Sequence, residues 1–404
     1  MNVEIRAASK QEMVDFRRVS NYVFGDNESD PTDEQTALVI PEWTTCAFVD
    51  GRLASIAGAF PFRMRLNGAT AEAAGITAVG TLPEYRRRGL LRRTMTQGFR
   101  EQRERGQSLA ILWASYGAIY QRFGYGPATN VVSYEIDPRW AGLQPGLESE
   151  GSVTTTEDRD EALPALKEVY LAYATPRNLL LHRPAVLWHF GVLGGLDKKH
   201  RTHMAVYRNA AGEARGYLVY TLEFIDQAPP NQKLFVRDFV ALDIDARVGL
   251  WRHLLAHDLV GKIWIDAVAE DDPSPLLVEE PRSLGRRVRD GIYLRVVDAE
   301  RALALRPYND SGRLVVEIRG DALCDWNEGR YRIESDGGSA SVARCQDAPD
   351  LTLSPRSLAA LISGHSSATQ LARARQLDAR DHAVLRRADR MFATDYRPFC
   401  PDGF

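Results

Sequence analysis

One pattern occurs twice and narrows the folds open to this chain. Val79-Gly-Thr-Leu-Pro-Glu-Tyr-Arg-Arg-Arg-Gly89-Leu90 passes from a strand signal through a turn and a lone glycine into an amphipathic helix. Phe239-Val-Ala-Leu-Asp-Ile-Asp-Ala-Arg-Val-Gly249-Leu250 repeats that order at the same spacing. A strand–turn–glycine–helix junction that recurs reads as a duplicated unit. The length agrees: 404 residues exceed one ordinary core and suit two or three domains of about 100–200 residues.

Around the first junction the chain alternates helix and strand signals. Gln11 to Phe24 places Met13, Phe16, Val19 and Val23 at helical spacing, which predicts an amphipathic helix. Thr45 to Val49, Leu53 to Leu66 and Ala69 to Leu82 read as strands joined by Asp50-Gly51 and Asn67-Gly68 turns. Arg87 to Arg105 reads as a long helix, Leu109 to Ala114 as a buried strand and Asn130 to Ile136 as another strand. The second section predicts helices over Asp160 to Tyr173 and Arg247 to Leu259, with strands between and after them. From about Leu294 the texture changes to strands, polar turns and helices, with Ser354-Pro355 as a helix start. The expected division is 1–145, 146–292 and 293–404, and the class is α+β with mixed α/β sections.

Composition removes several function classes. Net charge is −3, from 51 basic and 54 acidic residues, so no global field favours nucleic acid. No apolar run approaches the ~18 residues that span a membrane. Cys46, Cys324, Cys345 and Cys400 form no C-x-x-C pair and read as free thiols of a cytoplasmic protein. His200 and His203 lack a third ligand at useful spacing and neighbour Lys198-Lys199, so no metal is expected. No G-x-S-x-G, Walker or G-x-G-x-x-G motif stands in the required context.

The chemistry concentrates at Arg86-Arg87-Arg88-Gly89-Leu90-Leu91-Arg92-Arg93. A strand-to-helix junction is an anion site, because the N–H groups of the first helical turn have no partner inside the helix and the dipole adds positive charge. Gly89 lets a phosphate approach the backbone, and flanking guanidinium groups grip a diphosphate. In the second copy Ala246 and Val248 replace Arg86 and Arg88, so only the first copy is equipped for a diphosphate.

Val79 to Arg93 resembles the acetyl-CoA motif of the GCN5-related N-acetyltransferases (GNAT). The wider pattern is similar to the Eis (enhanced intracellular survival) aminoglycoside acetyltransferases. It is carried by Arg86 to Leu91, Ala114-Ser115, the run Ile119-Tyr120-Gln-Arg122-Phe123-Gly124-Tyr125-Gly126-Pro127-Ala128-Thr129, and the aromatic Phe404. The resemblance implies tandem GNAT folds, the second without a cofactor site, followed by a sterol-carrier-like α+β domain, in a hexamer. It implies acetyl-CoA as co-substrate, with Val79 and Thr81 along the pantetheine arm. Arg86, Arg87, Arg88 and Gly89 then stand at the diphosphate, and Ser115 is a further cofactor contact. Tyr120 becomes the general acid, with Tyr125 its neighbour and competitor. The carboxylate of Phe404 becomes the general base. Phe24 and Asp26 resemble amine-binding positions of an aminoglycoside or polyamine site.

The sequence departs from the family at several points. Leu91 stands where the broad superfamily usually has Gly or Ala, though the Eis subfamily resembles this sequence there; Gly403 precedes Phe404 with Asp402 one place earlier, and no aromatic lies among Glu28 to Ala37. Trp113 precedes Ala114 where relatives have a smaller polar ring. The acidic run Asp26, Glu28, Asp30, Asp33, Glu34 reads equally as a cation attractor and as a solvated loop. Two other functions stay open: acetylation of protein or peptide lysines, and a non-enzymatic acyl-CoA- or lipid-binding scaffold.

Overall fold

The computed structural model describes residues 2–25, 39–194 and 199–404. Contacts divide the chain into two units, one of Met1–Ala128, Ile292–Ala393 and Phe404, the other of Thr129–Gly291 and Thr394–Gly403.

The first unit holds two sheets. Strands β1 (Val3–Arg6), β2 (Cys46–Val49), β3 (Arg52–Leu66), β4 (Ala69–Thr81), β5 (Leu109–Trp113), β6 (Gly126–Pro127) and β14 (Ile292–Val296) form one, in the order β1-β2-β3-β4-β5-β14-β6. Asp50 and Gly51 both have positive φ, as do Asn67 and Gly68, the geometry a two-residue hairpin requires. Helix α1 (Met13–Phe24) buries Met13, Phe16 and Val19 against Cys46, Phe48 and Ile56. Helix α2 (Leu90–Glu104) buries Met95 and Phe99 beside Ile76, Ala110 and Leu112. It begins at Leu90 rather than at Arg87, because Arg87 and Gly89 both take left-handed backbone, which no α-helix can include. A short helix α3 (Gly117–Gln121) follows β5.

The same unit contains the tail sheet. Its strands are β15 (Ser311–Ile318), β16 (Gly329–Asp336), β17 (Ala340–Arg344), β18 (Leu351–Leu353) and β19 (Leu377–Ala379), in the order β17-β16-β15-β18-β19. Its longer helices include Pro355–Ile362 and His382–Met391. Ser354 caps the first of these by accepting the Ser357 N–H. Arg306, fully buried, donates to the carbonyls of Ile362 at 2.9 Å and Phe392 at 2.7 Å. It thereby satisfies acceptors that both helix ends leave open.

The second unit repeats the open sheet with β7 (Asn130–Ile136), β8 (Ser152–Thr156), β9 (Thr202–Arg208), β10 (Ala214–Phe224), β11 (Gln232–Ala241), β12 (Val260–Val268) and β13 (Arg287–Asp290). Its order is β13-β7-β12-β11-β10-β9-β8. Its core includes a buried charge cluster. Arg183 grips Asp238 at 2.6 and 3.3 Å and reaches Asp402 at 2.7 Å. The rings of Tyr170 and Trp188 lie 3.9 and 5.1 Å from its guanidinium carbon. Arg183→Met leaves two buried carboxylates without their cation. The expected loss is about 3–5 kcal/mol of unfolding free energy, read by urea denaturation. A loss under about 1 kcal/mol would show the cluster to be dispensable.

Candidate active site

The first sheet forks. β4 and β5 pair in parallel only over Ala73–Gly75 and Leu109–Ile111. Beyond Gly75, β4 continues to Thr81 beside β3 alone. Its register there slips, since Ile56 faces Gly80 while Gly58 faces Thr77. That bulge sets Ala78 at φ 49° and re-aims the backbone next to the fork. Gly75 stands at the branch point, where a Cβ would lie 2.3 Å from the Phe62 ring and 3.3 Å from that of Phe404.

The arginine loop joins the fork to α2. Arg86 is extended and its Nε donates to the Thr81 carbonyl at 3.2 Å. Arg87 and Gly89 are left-handed, at φ 61° and 74°. Such alternation turns successive backbone N–H groups to one side, as in anion-binding nests. Gly89 caps α2 without any side-chain hydrogen bond, and a Cβ there would meet nothing within 4 Å. The helix start is therefore uncapped and faces open space.

The second copy differs at each of these points. Helix α5 (Ile244–Leu255; α4 is Arg159–Ala174) starts earlier than the sequence predicts. Asp243 caps it by accepting the Ala246 N–H at 2.9 Å. Gly249 lies inside the helix, where a Cβ would fall 2.5 Å from the Tyr207 ring. Arg247, which matches Arg87, is buried and paired with Asp272 at 2.6 Å. The guanidinium of this copy is therefore already neutralised by a carboxylate of the chain.

A cleft of about 910 Å³ opens between the fork, the start of α2 and α3. Val79, Thr81, Arg86, Arg87, Gly89, Ser115, Tyr120 and Phe24 all line it. Arg88 does not; it donates to the Glu84 carbonyl at 2.9 Å and lies over the Tyr85 ring. Asp26 and the rest of the acidic run fall outside the described residues. Phe404 packs its ring edge-on against Phe62, centroids 5.1 Å apart, rather than on the cleft lining. The lining adds Tyr116, 72% exposed, which the sequence did not point to, and Arg92 and Arg122, which lie in the motif runs but had no role assigned. Tyr116, just before the five-residue helix Gly117–Gln121, leaves no periodic signal to find it by. Among the described residues no Asp or Glu lines the cleft, and none of Arg86, Arg87, Arg92 or Arg122 is in an ion pair.

Tyr120 and Tyr125 are now distinguishable. Tyr120 is 8% exposed and reaches the cleft, and burial raises its phenol above the usual value. Tyr125 is fully buried beneath it, rings 6.0 Å apart and edge-to-face. Its phenol is raised further, again by burial. Among the described residues no group of three or more His, Cys, Asp or Glu side chains could hold a metal, and no helix is long and apolar enough to cross a membrane.

Comparisons with known proteins agree along the chain. Two models described as acetyltransferase (GNAT) domain match residues 4–128 and 179–296, and a sterol carrier protein domain model matches 299–401. An uncharacterized N-acetyltransferase of Streptomyces avermitilis is 32% identical across 100% of this chain and 99% of its own. N-acetyltransferase Eis of Mycobacterium tuberculosis is 31% identical over 80% of this chain and 78% of its own. The crystal structure of Eis1 from Mycobacterium abscessus matches with a TM-score of 0.86 at 28% identity, covering 100% of both chains.

Proposed function

This chain belongs to the Eis family of GCN5-related N-acetyltransferases, and on that premise we propose that it moves the acetyl group of acetyl-CoA directly to a primary amine of a polycationic, aminoglycoside-type small molecule with both substrates bound together. It is an N-acetyltransferase built from two GNAT domains and a C-terminal sterol-carrier domain, and that fold implies the use of acetyl-CoA. One observation carries the assignment of roles: a single cleft joins a helix start without a side-chain cap, guanidinium groups outside any ion pair among the described residues, a strand fork and a buried phenol.

In this reading Arg86, Arg87 and the first N–H groups of α2 hold the diphosphate. Val79 and Thr81 run beside the pantetheine arm, with Ser115 opposite. Backbone N–H groups that β4 leaves unpaired past the fork stabilise the thioester oxygen as it gains charge. The nitrogen–carbon bond forms as the carbon–sulfur bond breaks. Tyr120 gives its proton to the departing sulfur; burial raises its phenol, so the proton stays on it at neutral pH until the thiolate forms. The carboxylate of Phe404 takes the proton the amine loses. Edge-on packing of the Phe404 ring against Phe62 supports a fixed position for that group.

Phe24, 53% exposed at the cleft, offers the acceptor an aromatic face. Since no carboxylate lines the described cleft, the acceptor's positive charge falls to the acidic run from Asp26 and to Phe404. A homo-hexamer belongs to the same proposal.

Thiol release from acetyl-CoA tests the acceptor class. Kanamycin-type amines are expected to give release and lysine peptides little. The reverse order would replace the acceptor, and no release with any amine despite coenzyme binding would favour the scaffold reading. Appending a few residues after Phe404 displaces its carboxylate. Turnover is expected to fall about 100-fold or more at an unchanged melting temperature; full turnover would remove Phe404 from the reaction.

A further inference from the structure

Two residues distant in sequence from Tyr120 support the backbone that carries it. A Cβ on Gly117, the first residue of α3, would lie 2.4 Å from the Tyr293 hydroxyl and 2.9 Å from Cζ. A Cβ on Gly124, just past the same helix, would lie 2.6 Å from Nη1 of Arg295. Real Cβ atoms do not come so close, so at both glycines the backbone rests directly on a side chain. Tyr120 lies between the two rests.

The supporting strand is itself fixed. Residues 293 and 295 alternate onto one face of β14. β14 pairs with β5 along Ile292–Val296 and with β6 at Tyr293 and Leu294. Arg295 is fully buried and donates through Nη2 to Asp321. Asp321 also accepts from the Cys324 N–H at 3.1 Å and from Asn327 Nδ2 at 3.2 Å. The Phe99 ring lies 5.4 Å from the guanidinium carbon. Nε and Nη1 of Arg295 have no hydrogen-bond partner among the described residues. A buried guanidinium with open donors is unfavourable by itself, and here its unbonded Nη1 faces the turn at Gly124.

We propose that Tyr293 and Arg295 are positioning residues for acetyl transfer: together they seat α3 and its following turn so that the Tyr120 hydroxyl stays in the cleft. The proposal rests on Tyr120 being the proton donor. Neither residue lines the cleft, so their effect belongs to turnover and not to coenzyme binding.

Gly117→Ala tests the first rest. It is expected to lower kcat at least tenfold while KM for acetyl-CoA stays within twofold and the melting temperature within a few degrees. Adding Tyr293→Phe removes the nearest opposing atom and is expected to restore much of the lost kcat. Arg295→Lys keeps the charge beside Asp321 but withdraws the planar group from under Gly124, and kcat is again expected to fall tenfold. Should that variant not fold, the Gly117 and Tyr293 pair decides alone. Tyr120→Phe is measured alongside. Normal turnover of Tyr120→Phe would overturn the reading of Tyr120, and the seating with it. Impaired Tyr120→Phe with undiminished Gly117→Ala, or with no recovery on adding Tyr293→Phe, would overturn the seating proposal alone.

Discussion

Tyr120→Phe is expected to lower kcat by about 10²–10⁴-fold, the usual worth of a positioned general acid, with acetyl-CoA binding nearly unchanged. The substitution removes one oxygen and keeps the ring. That ring packs in the core with Phe123, Tyr125 and Ile76, so stability and cleft shape should survive. Burial holds the proton on Tyr120 above the ordinary phenol range. Tyr120 therefore stays protonated through neutral and moderately alkaline pH. Turnover should rise with pH as the acceptor amine deprotonates, and the loss from ionised Tyr120 should set in only above the usual phenol pKa of about 10. A fall centred near pH 8 would assign the acid to another group. Tyr125→Phe is the comparison. It removes a buried hydroxyl that has no hydrogen-bond partner among the described residues, so stability should hold or improve and turnover should stay within about twofold. Equal losses in the two variants would show that ring packing, and not proton transfer, sets the rate. The measurement is steady-state kinetics of both variants from pH 6 to 10.

Local signals in the sequence resolved to local structure. Asp50-Gly51 and Asn67-Gly68 became hairpins, Ser354 became a helix cap, and the apolar spacing from Met13 became the buried face of α1. Helix ends were read less well, for reasons that differ. Consecutive arginines favour helix, yet Arg86 bends away to bond the Thr81 carbonyl, so α2 starts later. Asp243 is a capping residue visible in the sequence, and it starts α5 before Arg247. Pairing partners were not legible. Ile292–Val296 enters the first sheet between β5 and β6, while Asn130–Ile136 joins the second. Periodicity marks a strand but carries no address for its neighbour. Arg86, Arg87 and Tyr120, singled out by local motif spacing, line one cleft. The close approach of Tyr293 to Gly117 and of Arg295 to Gly124 was not legible, because these residues meet only in the fold.

Arg86→Ala with Arg87→Ala is expected to raise KM for acetyl-CoA about 100-fold or more. Each removes a charge-assisted bond to phosphate worth roughly 1.5–3 kcal/mol, and a factor of ten needs about 1.4 kcal/mol. Both guanidinium groups are exposed on the cleft, and neither is in an ion pair among the described residues. Nothing in the apo protein compensates their loss, and nothing is left buried and unpaired, so stability should not change. Arg88 lies off the lining and bonds the Glu84 carbonyl. Arg88→Ala should therefore raise KM less than about fivefold, the range of an exposed charge. Salt supplies an independent check. Exposed guanidinium–phosphate contacts are screened over about 10 Å at 0.1 M ionic strength. KM of the intact protein should climb with added salt, and that of the double variant should climb less steeply. If the two slopes coincide while KM still differs, the arginines act by shaping the loop at Gly89 and not by meeting the phosphates. An unchanged KM would move the coenzyme away from this loop, and the roles assigned to Val79, Thr81 and Ser115 would fall with it.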